Sequence, residues 1–165
     1  MQNEMRHSLI AIVMSHLSLE ALINTIGTAH YVNHRDPIRK EIWVKQIERY
    51  SLKNKFKTVA QQIYEDKTGH KNGKTLNEDT LDKIEYLKEL RHSIVHYKPK
   101  PEDTRVLKKT SNIHVISPEL EKYTSKKAKT VIKTVVEVIE AFNKLAGTEY
   151  GEWKDTILKK HSMKA

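Results

Sequence analysis

The chain has 165 residues, no cysteine and a formal net charge of +9, from 30 lysines and arginines against 21 aspartates and glutamates. That length fits one domain with a core large enough to stand without staples, and the missing cysteines exclude a disulfide scaffold, a thiolate zinc site and a cysteine nucleophile. A pI near 9.5 leans weakly toward a polyanionic partner such as nucleic acid or an anionic membrane, while only 5 glycines and 4 prolines argue against a turn-rich β-sandwich and against disorder.

Residues 4–31 read as one long helix. Leu9, Ile12, Leu19, Ile23 and Ile26 mark one apolar face, and Ile10, Val13, Met14, Leu17 and Ala21 mark a neighbouring one. Such a helix is expected to be buried on two sides, at the centre of a bundle or between a core and a dimer surface. Its longest unbroken apolar stretch, from Leu9 to Met14, is six residues. No membrane span is therefore expected. Glu4, Arg6 and His7 precede the stretch without a small-residue cleavage site, so the expected location is cytoplasmic, with no membrane partner.

Asp36-Pro37 opens a second helix that runs to about Tyr50. Ser51 can cap a third, to about Lys67, with Gly69 closing it; the pattern leaves open whether these are two helices or one bent helix. Residues 70–75 form a loop, and their Gly73-Lys74-Thr75 lacks the spacing of a phosphate-cradling loop. Asn77 caps the next helix, whose stripe is Leu81, Ile84, Leu87, Leu90 and Ile94, and Pro99 and Pro101 end it. Within 102–117, residues 104–108 and 112–116 form either a short hairpin or a loop. Ser117-Pro118 starts another helical segment, with a break near Thr124-Ser125. The last long helix carries Val131, Val135, Val138, Phe142 and Leu145 inward and ends at Gly147; residues 153–160 add a short final helix. The expected fold is all-α, an up-and-down bundle of four to five main helices spanning 1–165 as one domain, with short links making sequential helices antiparallel neighbours.

Chemistry concentrates in Leu90-Arg91-His92-Ser93-Ile94-Val95-His96-Tyr97-Lys98-Pro99. One reading needs no function, since cations favour a helix C-terminus. A second uses His92 and His96, four apart on one helical face, as metal ligands. Ser93 stands where a metalloprotease motif needs glutamate, and no spacing selects further ligands, so neither a metal nor a cofactor is expected. The third is metal-free RNA cleavage. Histidine suits the proton transfers and arginine suits the phosphate, because its planar fork stays charged.

The ten-residue stretch resembles the signature of the HEPN superfamily (higher eukaryotes and prokaryotes nucleotide-binding): arginine, a polar residue, a short apolar stretch, then histidine. Here it reads Arg91-His92-Ser93-Ile94-Val95-His96, and the first helix is also similar to the opening helix of many members. The resemblance implies an all-α bundle that dimerises, placing two motifs in one cleft. It implies a metal-independent endoribonuclease of toxin–antitoxin or antiviral defence, or alternatively an inactive dimerisation or nucleotide-binding module. It makes His96 the general base or acid and Arg91 the phosphate clamp. His92 departs from the asparagine common at its position.

On an ideal helix Arg91 and His96 point about 140° apart, five steps of about 100°. They converge only if the chain leaves the helix near residues 95–97, or if His96 meets the arginine of a partner chain. A helical protein without a site would instead leave the two on separate open surfaces. Glu20 and Asn24 could orient either group, but a solvent-facing ridge is the preferred expectation. Tyr97 could stack on a base and is rather expected to pack at the helix end. Lys122, Lys126, Lys127, Lys129 and Lys133, and Lys45, Arg49, Lys53, Lys55 and Lys57, could track an RNA backbone or simply be solvated faces. His16 is expected in the core or an interface. The partners implied are a second copy, an RNA substrate and an antitoxin or other partner protein.

Overall fold

The computed structural model describes residues 2–32, 37–70, 74–97, 105–109, 112–116 and 122–147. In chain order these form α1 (Gln2–Gly27), α2 (Pro37–Lys45), α3 (Leu52–Thr68), α4 (Glu78–Val95), strands β1 (Arg105–Lys109) and β2 (Asn112–Ile116), and α5 (Ser125–Ala146). The fold is the expected all-α bundle, built from α1, α3, α4 and α5. The stretch 102–117 contains the hairpin: β1 and β2 pair antiparallel, from Arg105 opposite Ile116 to Lys109 opposite Asn112. Among the described residues the hairpin packs substantially only on itself.

Capping chemistry sets the helix ends. The side-chain oxygens of Ser51, Asn77 and Thr124 accept from the backbone N–H groups of Asn54, Thr80 and Lys127, at 3.4, 2.9 and 3.2 Å. Each satisfies a donor that the first helical turn leaves open. Ser51 therefore separates α2 from α3, with a 3₁₀ turn at Ile47–Arg49 between them. Thr124 starts α5 at the position where the sequence suggests a break. At the other ends, Gly69 and Gly147 take left-handed φ of 71° and 58°, the conformation glycine adopts without a Cβ penalty. The Asp36 cap, the Ser117-Pro118 helix start and the helix over 153–160 lie outside the described residues.

Sequential helices lie side by side as expected, α3 against α4 and α4 against α5, and α1 lies chiefly against α5 and α4, while α2 packs on the π-helical turn at Thr28–Val32 that extends α1. Gly27 allows this closure, because the Trp43 ring of α2 lies where a Cβ would stand. Arg39 of α2 binds Asp66 of α3, and His30 reaches the same carboxylate at 3.0 Å. α4 and α5 run antiparallel: Lys83 pairs with Glu137 near one end, and Ser93 meets Tyr123, just before α5, at the other. Ile12, Leu19 and Ile23 of α1, Leu81, Ile84 and Leu87 of α4, and Val131 and Val138 of α5 are fully buried. Phe56 of α3 and Phe142 of α5 meet edge to face, centroids 5.6 Å apart, a geometry that adds to their area burial.

The two apolar faces of α1 have different fates. Ile12, Leu19, Ile23 and Ile26 are in the core, whereas Ile10, Met14 and Leu17 remain 55, 56 and 37% exposed. Among the described residues nothing covers these three side chains. An 18-residue window within Glu4–Val32 has a mean hydropathy of 1.7, long and apolar enough by length and composition to cross a membrane. The count of uninterrupted apolar residues hides this, because Ser15, His16 and Ser18 break the run. In this fold the segment is the helix on which α4 and α5 pack.

Candidate functional site

Arg91 and His96 share α4 but not a direction. α4 is helical through Val95, and His96 is its C-cap, with φ −101° and ψ 17°. The His96 N–H still donates to the carbonyl of His92 at 3.0 Å. The chain therefore does not leave the helix early enough to swing His96 back, and the separation of about 140° stands. Arg91 is half-buried and its charge bears on His16 of α1, while His96 is exposed. No hydrogen bond or ring contact joins Arg91 to His96 among the described residues.

His92 and His96 do meet. Both are exposed, and their ring centroids are 4.5 Å apart with the planes tilted by 40°. Two imidazoles on successive turns make a pair, but no group of three or more metal-ligating side chains is present among the described residues. Ser93 points elsewhere. Its Oγ donates to the Leu90 carbonyl at 2.8 Å and lies 2.7 Å from the hydroxyl of buried Tyr123. It thereby ties the motif to the approach of α5, beside a cleft of about 420 Å³ lined by Tyr86, Leu90, Lys122 and Lys127. Tyr97 is half-buried at the helix end.

Glu20 and Asn24 are not a solvent-facing ridge. Both are half-buried. With His16 they form a polar column at intervals of four along α1, a register that keeps one face over several turns. Asn24 Oδ1 accepts from Lys55 Nζ of α3 at 2.9 Å, and Lys55 is only 6% exposed. Lys55 thus leaves the proposed basic track, because its aliphatic stem and ammonium go into the bundle. Other members of the runs are partly neutralised: Lys53 pairs with Asp82 at 3.2 Å, and Lys133 with Glu137 at 3.9 Å.

His16 is buried, as expected of a core residue; its place near the Arg91 charge is what the local sequence does not supply. It is 5% exposed, and both ring nitrogens are buried without a hydrogen-bond partner among the described residues. Burial holds its pKa below the ordinary 6.5; the nearby Arg91 and Lys88 charges add to this and Glu20 opposes it. The imidazole is consequently neutral at pH 7. Arg91 Nε is likewise buried and unpartnered. The available signal was register: His16 precedes Glu20 and Asn24 on the same face.

Comparison with protein-family models, with curated proteins and with solved structures finds no match. The class that fold and site define is therefore an all-α helical bundle with a polar seam between α1 and α4 and a histidine pair at the end of α4.

Proposed function

We propose that the protein is a metal-independent endoribonuclease of HEPN type that acts as a homodimer, in a toxin–antitoxin or antiviral defence role. The observation that carries this reading is the state of Arg91. Its guanidinium forms no ion pair or hydrogen bond among the described residues, in a protein where Arg39, Lys53, Lys83 and Lys88 all hold carboxylates. An uncommitted, half-buried guanidinium suits a phosphate, which it can bind through two nitrogens. His96, exposed on the same helix, supplies proton transfer.

In this reading a histidine takes the proton of a 2′-hydroxyl, whose oxygen attacks the adjacent phosphorus. The bond to the 5′-oxygen breaks and that oxygen receives a proton, leaving a 2′,3′-cyclic phosphate. Arg91 stabilises the charge on the phosphorane. Because Arg91 and His96 diverge within one chain, the arginine of one copy works with the histidine of its partner. The uncovered Ile10, Met14 and Leu17 of α1 offer apolar area for such an association.

The test is cleavage of single-stranded RNA in the presence of EDTA. Wild type is expected to cut, and His96→Ala and Arg91→Ala to lose cleavage while keeping their helical circular dichroism. Cleavage by either variant at the wild-type rate refutes the assignment. The divergence of the two side chains also favours a second reading, an inactive module that dimerises or binds a nucleotide or partner protein. That reading expects no growth arrest on overexpression, whereas the nuclease expects arrest that His96→Ala relieves.

A further inference from the structure

Three uncommitted groups lie along the α1–α4 seam, near enough for the charges of Arg91 and Glu20 to act on His16. His16 has two buried nitrogens without partners, Arg91 has its buried Nε, and Glu20 has a half-buried carboxylate that forms no hydrogen bond or ion pair among the described residues. Buried polar groups are almost always paired, so a cluster left open calls for a ligand or a second arrangement. The remaining member of the polar column, Asn24, obeys the rule by holding Lys55, and the neighbouring buried Ser15 donates to the carbonyl of Ala11 at 2.8 Å.

The open groups are complementary. Arg91 Nε–H is a donor only, and the Glu20 carboxylate is an acceptor only. A neutral imidazole is the one side chain that accepts on one ring nitrogen and donates from the other. We infer that His16 is the positioning residue for Arg91. When an anion binds, its imidazole accepts a hydrogen bond from Arg91 Nε and donates one to Glu20, which turns the outer nitrogens of the guanidinium toward the anion. This rests on the reading of Arg91 as a phosphate clamp and adds to it a Glu20–His16–Arg91 chain within one protomer.

The chain has an unusual pH sign. Histidine-containing phosphate sites ordinarily tighten in acid, because imidazolium attracts the anion. Here a protonated His16 has no lone pair left for Arg91. The charged groups facing it are Arg91 and Lys88 from α4 and Glu20 on its own helix, so two cations oppose the proton. Acid should therefore loosen Arg91 and weaken phosphate binding.

The test is NMR of the Arg91 Nε–H, identified by its absence in Arg91→Lys, with inorganic phosphate as the probe at pH 7 and pH 5. Wild type is expected to show an Nε–H that phosphate protects from solvent exchange at pH 7 and not at pH 5. His16→Gln, whose amide both accepts and donates but does not titrate, should keep protection at both pH values. His16→Leu should lose it and bind phosphate about tenfold more weakly, the size of one charge-assisted hydrogen bond. The inference is overturned if His16→Leu protects the Nε–H as wild type does, or if wild-type phosphate binding tightens in acid. RNA is absent throughout, so a failure to cleave RNA counts against the nuclease reading alone.

Discussion

Lys55 Nζ donates to Asn24 Oδ1 at 2.9 Å, between a lysine 6% exposed on α3 and an asparagine on α1. The ammonium is buried, and this is the hydrogen bond that compensates it. Substituting Asn24→Leu should leave the charge without a partner and cost about 2–4 kcal/mol of stability. Adding Lys55→Met should recover most of that loss, because an apolar pair needs no partner. Urea unfolding of the two single variants and the double variant measures the coupling. Additive losses would show that the bond does not matter.

Gly27 is fixed by packing. In most helices alanine is preferred over glycine by about 1 kcal/mol. Here the Trp43 ring occupies the place of a Cβ, and Trp43 stacks on Tyr31 with ring centroids 5.6 Å apart. Gly27→Ala should therefore destabilise the protein by about 1–3 kcal/mol, the usual cost of overpacking. Trp43→Leu in the same chain should relieve part of it. Thermal unfolding gives the sign, and a Gly27→Ala variant more stable than wild type would remove the packing argument.

His16 makes stability pH-dependent. Its folded-state pKa lies below the ordinary 6.5, first through burial and then through Arg91. Between the lowered value and 6.5 the unfolded chain binds more protons than the folded one, so stability rises with pH in that window. The contribution is complete above 6.5 and is lost as pH falls toward the folded value. Unfolding midpoints in urea should thus drop from pH 7 to pH 5, and His16→Leu should flatten the profile over that range. An unchanged slope in the variant would assign the acid sensitivity elsewhere.

The sequence made the helices legible because their ends carry side chains with one chemical purpose. Ser51, Asn77, Gly69 and Gly147 act where their chemistry predicts. Periodicity likewise marks the core stripes of α4 and α5. Periodicity does not reveal which helix covers which face, and so Glu20, Asn24 and Lys55 read as solvated groups, although Asn24 and Lys55 meet inside the bundle and Glu20 is half-buried. The same limit applies to α1, where the stripe through Ile10, Met14 and Leu17 looks as core-forming as its neighbour yet remains open. Arg91 and His96 stand out as a motif, and helical geometry alone gives their divergence. His16, whose proton affinity the Arg91 charge lowers, lies on a helix far earlier in the chain, and no local pattern encodes that pairing.

The hydroxyls of Ser93 and Tyr123 touch across thirty positions of chain, and the hairpin hangs between them. That contact acts as a clasp at the neck of a pendant: whatever happens to the strands, the two points where the chain leaves and re-enters the bundle stay together. Closing a loop grows costlier only slowly with its length. The pendant can therefore lengthen, shorten or change its surface at little expense to the helices.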